Sequence, residues 1–164
     1  TDLGKDNREA TDSTLAERPT FITPKGRTVY GGGGITPDIY SEVNLDFNES
    51  TRELLTNPDR LTFKYAENLK IEVEKQFQTY EIFSKSFSLS GKKQKKFFNW
   101  LEKQKIEFKD SELKENWIYI ENRILSDIAS SIWGKEYLYK KLLDTDKQVQ
   151  DAILHFDEAH KLID

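Results

Sequence analysis

Two histidines, a run of four glycines, a lysine cluster and the scattered serines are the residues of this chain that could do chemistry. His155 and His160 lie in "HFDEAH" near the end. A helical zinc motif sets two histidines four residues apart, with a glutamate beside the first, so that both ring nitrogens reach one metal. Here the spacing is five, which turns the two side chains about 140° from each other on an α-helix. Neither is read as a metal ligand, and His160 falls beside an apolar stripe. Gly31–Gly34 invite comparison with a phosphate-cradling loop. A P-loop needs a lysine and a serine or threonine after the last glycine, and a helix opening there. Ile35-Thr36-Pro37-Asp38 follows instead, and Pro37 obstructs that helix. The GxGxxG dinucleotide spacing fails as well, so the glycines are read as backbone passing close to another part of the protein.

Nucleophilic chemistry finds no visible frame. There is no cysteine, and neither histidine has a serine and a carboxylate at a legible spacing, which argues against a Ser-His-Asp triad. A Ser-Lys pair would need a lysine buried enough to lose its proton. The lysines fall mostly on polar helix faces. Lys92, Lys93, Lys95 and Lys96, in "GKKQKK", form the one concentrated positive patch and read as the solvated first turns of a helix.

The elements that must position these residues change character along the chain. Residues 1–19 are polar and aperiodic and read as a flexible loop. Residues 20–48 hold the β-flavoured passage: Phe21-Ile22-Thr23 and Arg27-Thr28-Val29-Tyr30 flank Pro24-Lys25-Gly26, a hairpin in which proline presets one φ and glycine supplies a positive one. Residues 49–164 switch to helical periodicity. "STRE" (Ser50–Glu53) has capping-box spacing, and Asn57-Pro58 reads as an N-cap with proline at the first helical position. Leu61, Tyr65, Leu69, Val73 and Phe77 recur every four residues. A break at Gln78-Thr79, a short piece with Tyr80, Ile82, Phe83 and Phe87, and "SLSG" (Ser88–Gly91) follow.

A helix from about Lys92 to Ile106 turns Phe97, Phe98 and Leu101 inward. Asp110 or Ser111 caps the next, with Leu113, Trp117, Ile120, Ile124, Ile128 and Ile132 on one side and Gly134 at its end. After Tyr137, Leu138, Leu142 and Leu143, "TDKQ" (Thr145–Gln148) opens a terminal helix with Val149, Ile153, Phe156, His160 and Ile163 on one side. The expected fold is therefore mainly α: a C-terminal helical bundle of about five helices preceded by an extended, β-hairpin segment. No stripe can be buried by one helix alone.

Composition bounds the function. The chain has 164 residues, 36% hydrophobic and 33% charged, with 12% aromatic, enough for one packed core. Its net charge of -4 runs against a general nucleic-acid binder. No apolar run is long enough to span a bilayer. The opening "TDLGKDNREATDST" lacks a methionine and a secretory pattern and reads as a piece of a longer polypeptide.

"TPKGRTVYGGGGITPDI" (Thr23–Ile39) resembles a signature of the carboxyl-terminal processing, or tail-specific, proteases of peptidase family S41: a "TPxGR" turn, a glycine-rich stretch and a "PDI" ending, in that order. The helical remainder is similar, more weakly, to the C-terminal extension of bacterial members, with Trp133-Gly134 after a long helix, the aromatic Tyr137 and Tyr139, and Asp146 opening a final helix. The resemblance implies a serine endopeptidase with a Ser-Lys dyad and a PDZ domain that engages substrate C-termini, no metal or organic cofactor, and a periplasmic or cell-envelope location. The family's serine and lysine lie upstream of the TPxGR turn in small-residue-rich stretches that residues 1–22 do not contain, and Lys25 occupies the turn rather than the dyad position. No catalytic, cofactor-binding or metal residue is therefore assigned. The expected function is the non-catalytic C-terminal portion of such a protease, inactive alone. Its expected partners are the remaining PDZ and catalytic core, protein substrates of the whole enzyme and further copies of itself. The helical module would serve core packing, oligomerisation or substrate gating. The alternative is a stand-alone helical protein-interaction module.

Overall fold

The computed structural model describes residues 18–32, 41 and 45–163. The chain divides into two compact units, Thr1–Glu42 and Val43–Asp164. In the first, β1 (Thr20–Ile22) and β2 (Thr28–Tyr30) pair antiparallel with Thr20 opposite Tyr30, Phe21 opposite Val29 and Ile22 opposite Thr28. The predicted hairpin forms. The predicted polar loop lies outside the described residues except for Arg18 and Pro19, and so do Gly33, Gly34 and Ile35–Ile39.

The second unit is helical. Among the described residues nine α-helices follow the hairpin: α1 (Glu49–Thr56), α2 (Leu61–Gln76), α3 (Tyr80–Ser86), α4 (Lys92–Lys103), α5 (Asp110–Glu115), α6 (Trp117–Trp133), α7 (Lys135–Leu142), α8 (Lys147–Leu154) and α9 (Phe156–Ile163). The mainly α architecture is as expected, with two of the predicted rods broken into two segments. The tract beginning at Asp110 breaks at Asn116 (φ -99°, ψ 18°), and the terminal tract breaks at His155 (φ -100°, ψ 5°).

α6 is the axis of this unit, packed between α2 and α7. Its Ile120, Ile124 and Ile128 have no exposed surface, and they meet a core that includes Leu61, Tyr65, Ala66 and Val73 of α2. Two aromatic groups belong to this core. Phe77, Phe83 and Phe87 pack at 5.4–5.8 Å between ring centroids, with Trp133 5.1 Å from Phe83. Phe97 packs 4.8 Å from Tyr65 and 5.9 Å from Trp117. Each large side chain removed from water in this way contributes on the order of 1.5–3 kcal/mol. Gly134 ends α6 at φ 120°, where the sequence places the stop.

Helix starts depart from expectation in four places. The N-cap of α1 is Asn48, whose Oδ1 accepts from the Thr51 amide at 3.1 Å, not Ser50, whose hydroxyl accepts from the Lys109 amide at 3.0 Å instead. Asn57 ends α1 rather than opening α2: its Oδ1 accepts from the Asp59 amide, Pro58 sits in that turn, and α2 starts after Arg60 at φ 51°. Asp110 is the first residue inside α5, behind Lys109, and makes an ion pair with Lys114. Asp146, not Thr145, caps α8 through the Val149 amide, because the Thr145 hydroxyl accepts from Asn122 Nδ2 at 2.8 Å. Ser50, Asn57 and Thr145 each take a local turn or a tertiary partner, and Asp110 a partner within its own helix.

The last two helices also differ from the expected stripe burial. Ile153, Leu154 (79%) and Phe156 (66%) are exposed, so the C-terminal segment does not pack its apolar side into the core.

Candidate functional site

The Thr23–Arg27 turn is the best-defined feature of the passage singled out by the sequence. Thr23 and Arg27 close it: the Thr23 amide donates to Arg27 O at 2.8 Å, and the Arg27 amide donates to Thr23 Oγ1 at 3.1 Å. The Gly26 amide donates back to Thr23 O at 2.8 Å, with Gly26 at φ +81°. Each motif residue has a reason to be what it is. Threonine supplies a second acceptor, proline fixes the first loop φ, and glycine adopts the left-handed conformation that closes a three-residue hairpin loop.

Beyond β2 the Gly31 amide donates to Pro19 O at 2.8 Å, extending the ribbon by one bond. A Cβ on Gly31 would lie 2.6 Å from Cε2 of Phe21. The aromatic ring therefore rests on bare backbone at the first glycine of the run, the close approach expected there. Gly32 follows at φ +87°. The ribbon is only two strands wide and leaves Phe21 and Ile22 (74%) exposed.

The other sequence candidates are dispersed. His155 sits in the break between α8 and α9, its Nδ1 3.3 Å from Glu158 Oε2, and His160 is exposed on α9. Among the described residues no group of three or more His, Asp or Glu side chains is arranged to hold a metal. Lys92, Lys95 and Lys96 are exposed on the first turns of α4, and Lys93 Nζ lies 3.8 Å above the Phe87 ring. Lys141, the one buried lysine among the described residues, bonds to Asp144 at 2.6 Å. The serine with no exposed surface, Ser126, donates to Asn122 O. No described helix is long and apolar enough to cross a membrane.

Two polar constellations were not foreseen. The first ties α1 to α5. Glu112 Oε2 accepts from the Ser50 amide at 2.9 Å and Oε1 from Lys109 Nζ at 2.8 Å, while Asn48 Nδ2 donates to Glu112 O at 2.7 Å and the Asn48 amide to Asn116 Oδ1 at 3.3 Å. The Lys109 ammonium and then Ser50 hold the Glu112 carboxyl down to about 2. Reciprocally, the Glu112 bond raises Lys109. The readable signal was Asn48, a strong N-capping residue just before the helical pattern. The second is Asp127, 1% exposed inside α6, whose Oδ2 lies 3.3 Å from Arg123 Nε while Oδ1 has no hydrogen-bond partner among the described residues. Its burial is not legible in the linear pattern.

Against known proteins, residues 58–134 match a family of unknown function (DUF8443). The matched stretch runs from the Asn57-Pro58 turn through α2–α6 to Gly134, and leaves the hairpin, α1 and α7–α9 outside it. Comparisons with curated proteins and with solved structures returned no match.

Proposed function

We propose that this chain is the C-terminal, non-catalytic portion of a tail-specific serine endopeptidase of peptidase family S41, whose Ser-Lys dyad is carried by the preceding part of the enzyme. The observation that carries the reading is the Thr23–Arg27 turn. The Thr-Pro-x-Gly-Arg residues that resemble the family signature all have a part in closing one hairpin loop, and the glycine run begins where Phe21 packs onto backbone. An isolated two-stranded ribbon is marginal in water. The three-residue strands with exposed Phe21 and Ile22 suit a ribbon whose outer edge continues into a larger sheet, that of the protease core. The helical unit then serves as an accessory module for core packing, oligomerisation or substrate gating in the cell envelope.

A second reading has its own support. The family match covers α2–α6 and not the hairpin, as it would for a helical module that stands alone and binds other proteins. The reading frame around the segment encoding Thr1 separates the two. The protease reading expects a PDZ domain and a serine and lysine in small-residue-rich stretches before Thr1 in the same polypeptide. A start codon immediately before Thr1 would establish the stand-alone module instead.

A further inference from the structure

We propose that the exposed face of α4 is an electrostatic docking surface for an anionic phospholipid bilayer. The proposal is independent of the protease reading. On an α-helix Lys92, Lys95, Lys96 and Lys103 fall within an arc of about 100°, along about 16 Å of axis. All four are exposed. Phe97, Phe98 and Leu101 lie on the opposite side of the same helix, buried in the core. The one carboxylate of α4, Glu102, stands outside the lysine arc. Among the described residues none of the four lysines makes an ion pair.

Folding gives this arrangement no support. Lys96 is one turn from Lys92 and Lys95 is three residues from it, spacings at which like charges repel. The first turn of α4 carries no acid and Gly91 offers no side-chain cap, so the positive end of the helix dipole also disfavours the lysines there. An anionic surface lying along the face offsets each of these repulsions. The lysines weaken the free chain and are compensated on binding.

The chemistry of the face selects the anion. It is a convex helix surface on which every cation is a lysine, a point charge on a flexible stem without the planar fork that grips one fixed phosphate. The partly open aromatic of α4, Trp100, packs on Tyr65 and Phe97 rather than standing free to stack on a base. The whole chain is net negative, which opposes a nucleic acid met from other directions. A fluid layer of anionic headgroups needs neither a groove nor a fixed register, and a cluster of this many lysines is enough to hold to it. Because the apolar side of α4 is already buried, the helix rests on the headgroups without inserting, and salt governs the binding.

The test is co-sedimentation of the full chain with vesicles of phosphatidylcholine alone and with vesicles of phosphatidylglycerol and phosphatidylcholine in equal parts. Binding is expected to the second kind only, and is expected to vanish as salt is raised from about 0.05 M to about 0.5 M. Replacing the face by Lys92→Gln, Lys95→Gln, Lys96→Gln and Lys103→Gln together should weaken it about a hundredfold. That variant should unfold at a urea concentration no lower than the native chain's, so its lost binding is not lost folding. A control carrying Lys75→Gln, Lys135→Gln, Lys147→Gln and Lys161→Gln, all at exposed positions off α4, should keep most of the binding. Equal sedimentation with both kinds of vesicle, binding retained by the α4 variant, or equal losses in the two variants would overturn the proposal. So would capture of a DNA duplex or of polyglutamate in place of the anionic vesicles.

Discussion

The Ser50 amide donates to Glu112 Oε2 at 2.9 Å, fastening the first turn of α1 to α5 across 62 residues of sequence. The same carboxylate binds Lys109, whose own amide returns to the Ser50 hydroxyl, so three residues close a polar clasp of three bonds. It stands where the α4–α5 loop meets the rest of the helical unit.

The clasp makes stability depend on acid. Glu112 has a depressed pKa in the folded protein, about 2 against an ordinary 4.5. Its contribution is therefore fully present above pH 4.5 and is lost as pH falls toward 2. Urea midpoints taken at pH 7 and at successively lower pH should fall through this window for the native chain. Glu112→Gln should lower the midpoint at pH 7 and flatten the fall below pH 4.5. An unchanged slope in the variant would show that other carboxylates govern the acid response.

Ile124 has no exposed surface and lies at the middle of the α6 stripe. Ile124→Ala should cost about 2–5 kcal/mol, as buried large-to-small changes do. Ile118→Ala, on an exposed position of the same helix, should stay within ~0.5 kcal/mol. Chemical denaturation of the two variants side by side checks the claim that α6 is the axis of the core.

Arg123 and Asp127 form a one-sided pair. Arg123→Ala leaves a buried carboxylate without its partner and should destabilise by about 1–3 kcal/mol. Adding Asp127→Asn should recover part of that loss, because the stranded group is then neutral. A double variant less stable than Arg123→Ala alone would mean that Asp127 has a role beyond this pair.

In the hairpin, Gly26→Ala places a Cβ at φ +81° with open space around it, so the penalty is purely conformational, about 1–2 kcal/mol. Cross-strand nuclear Overhauser contacts between Phe21 and Val29 should weaken accordingly. Gly31→Ala acts differently. Its methyl meets the Phe21 ring rather than backbone, so the ring should swing away while the strand pairing persists.

The sequence was most readable where one periodicity met one environment. The four-residue recurrence of Leu61, Tyr65, Leu69, Val73 and Phe77, of which Leu69 is only partly buried, and the Ile120–Ile124–Ile128 stripe marked inward faces directly, since α-helical geometry leaves such residues on one side. The hairpin was legible because proline and glycine each fix a backbone angle. Caps were harder. Ser50, Asn57 and Thr145 all carry capping chemistry, but each has a turn or tertiary partner that a linear pattern does not display. The Glu112 clasp depends on residues brought together over a long sequence distance, so it emerged only with the fold. The stripe through Val149, Ile153 and Phe156 is truly periodic, yet periodicity does not say which surface covers it, and Phe156 remains open.

The most direct measurement of the central claim is cleavage of an unstructured protein with an apolar C-terminus, by this chain alone and by the native protein captured with an antibody against the helical unit. The account predicts no turnover by residues 1–164 and turnover by the captured protein that ceases when a serine preceding this segment is replaced. Cleavage by residues 1–164 that a single serine substitution within them abolishes would contradict it, as would a captured native protein with no peptidase activity.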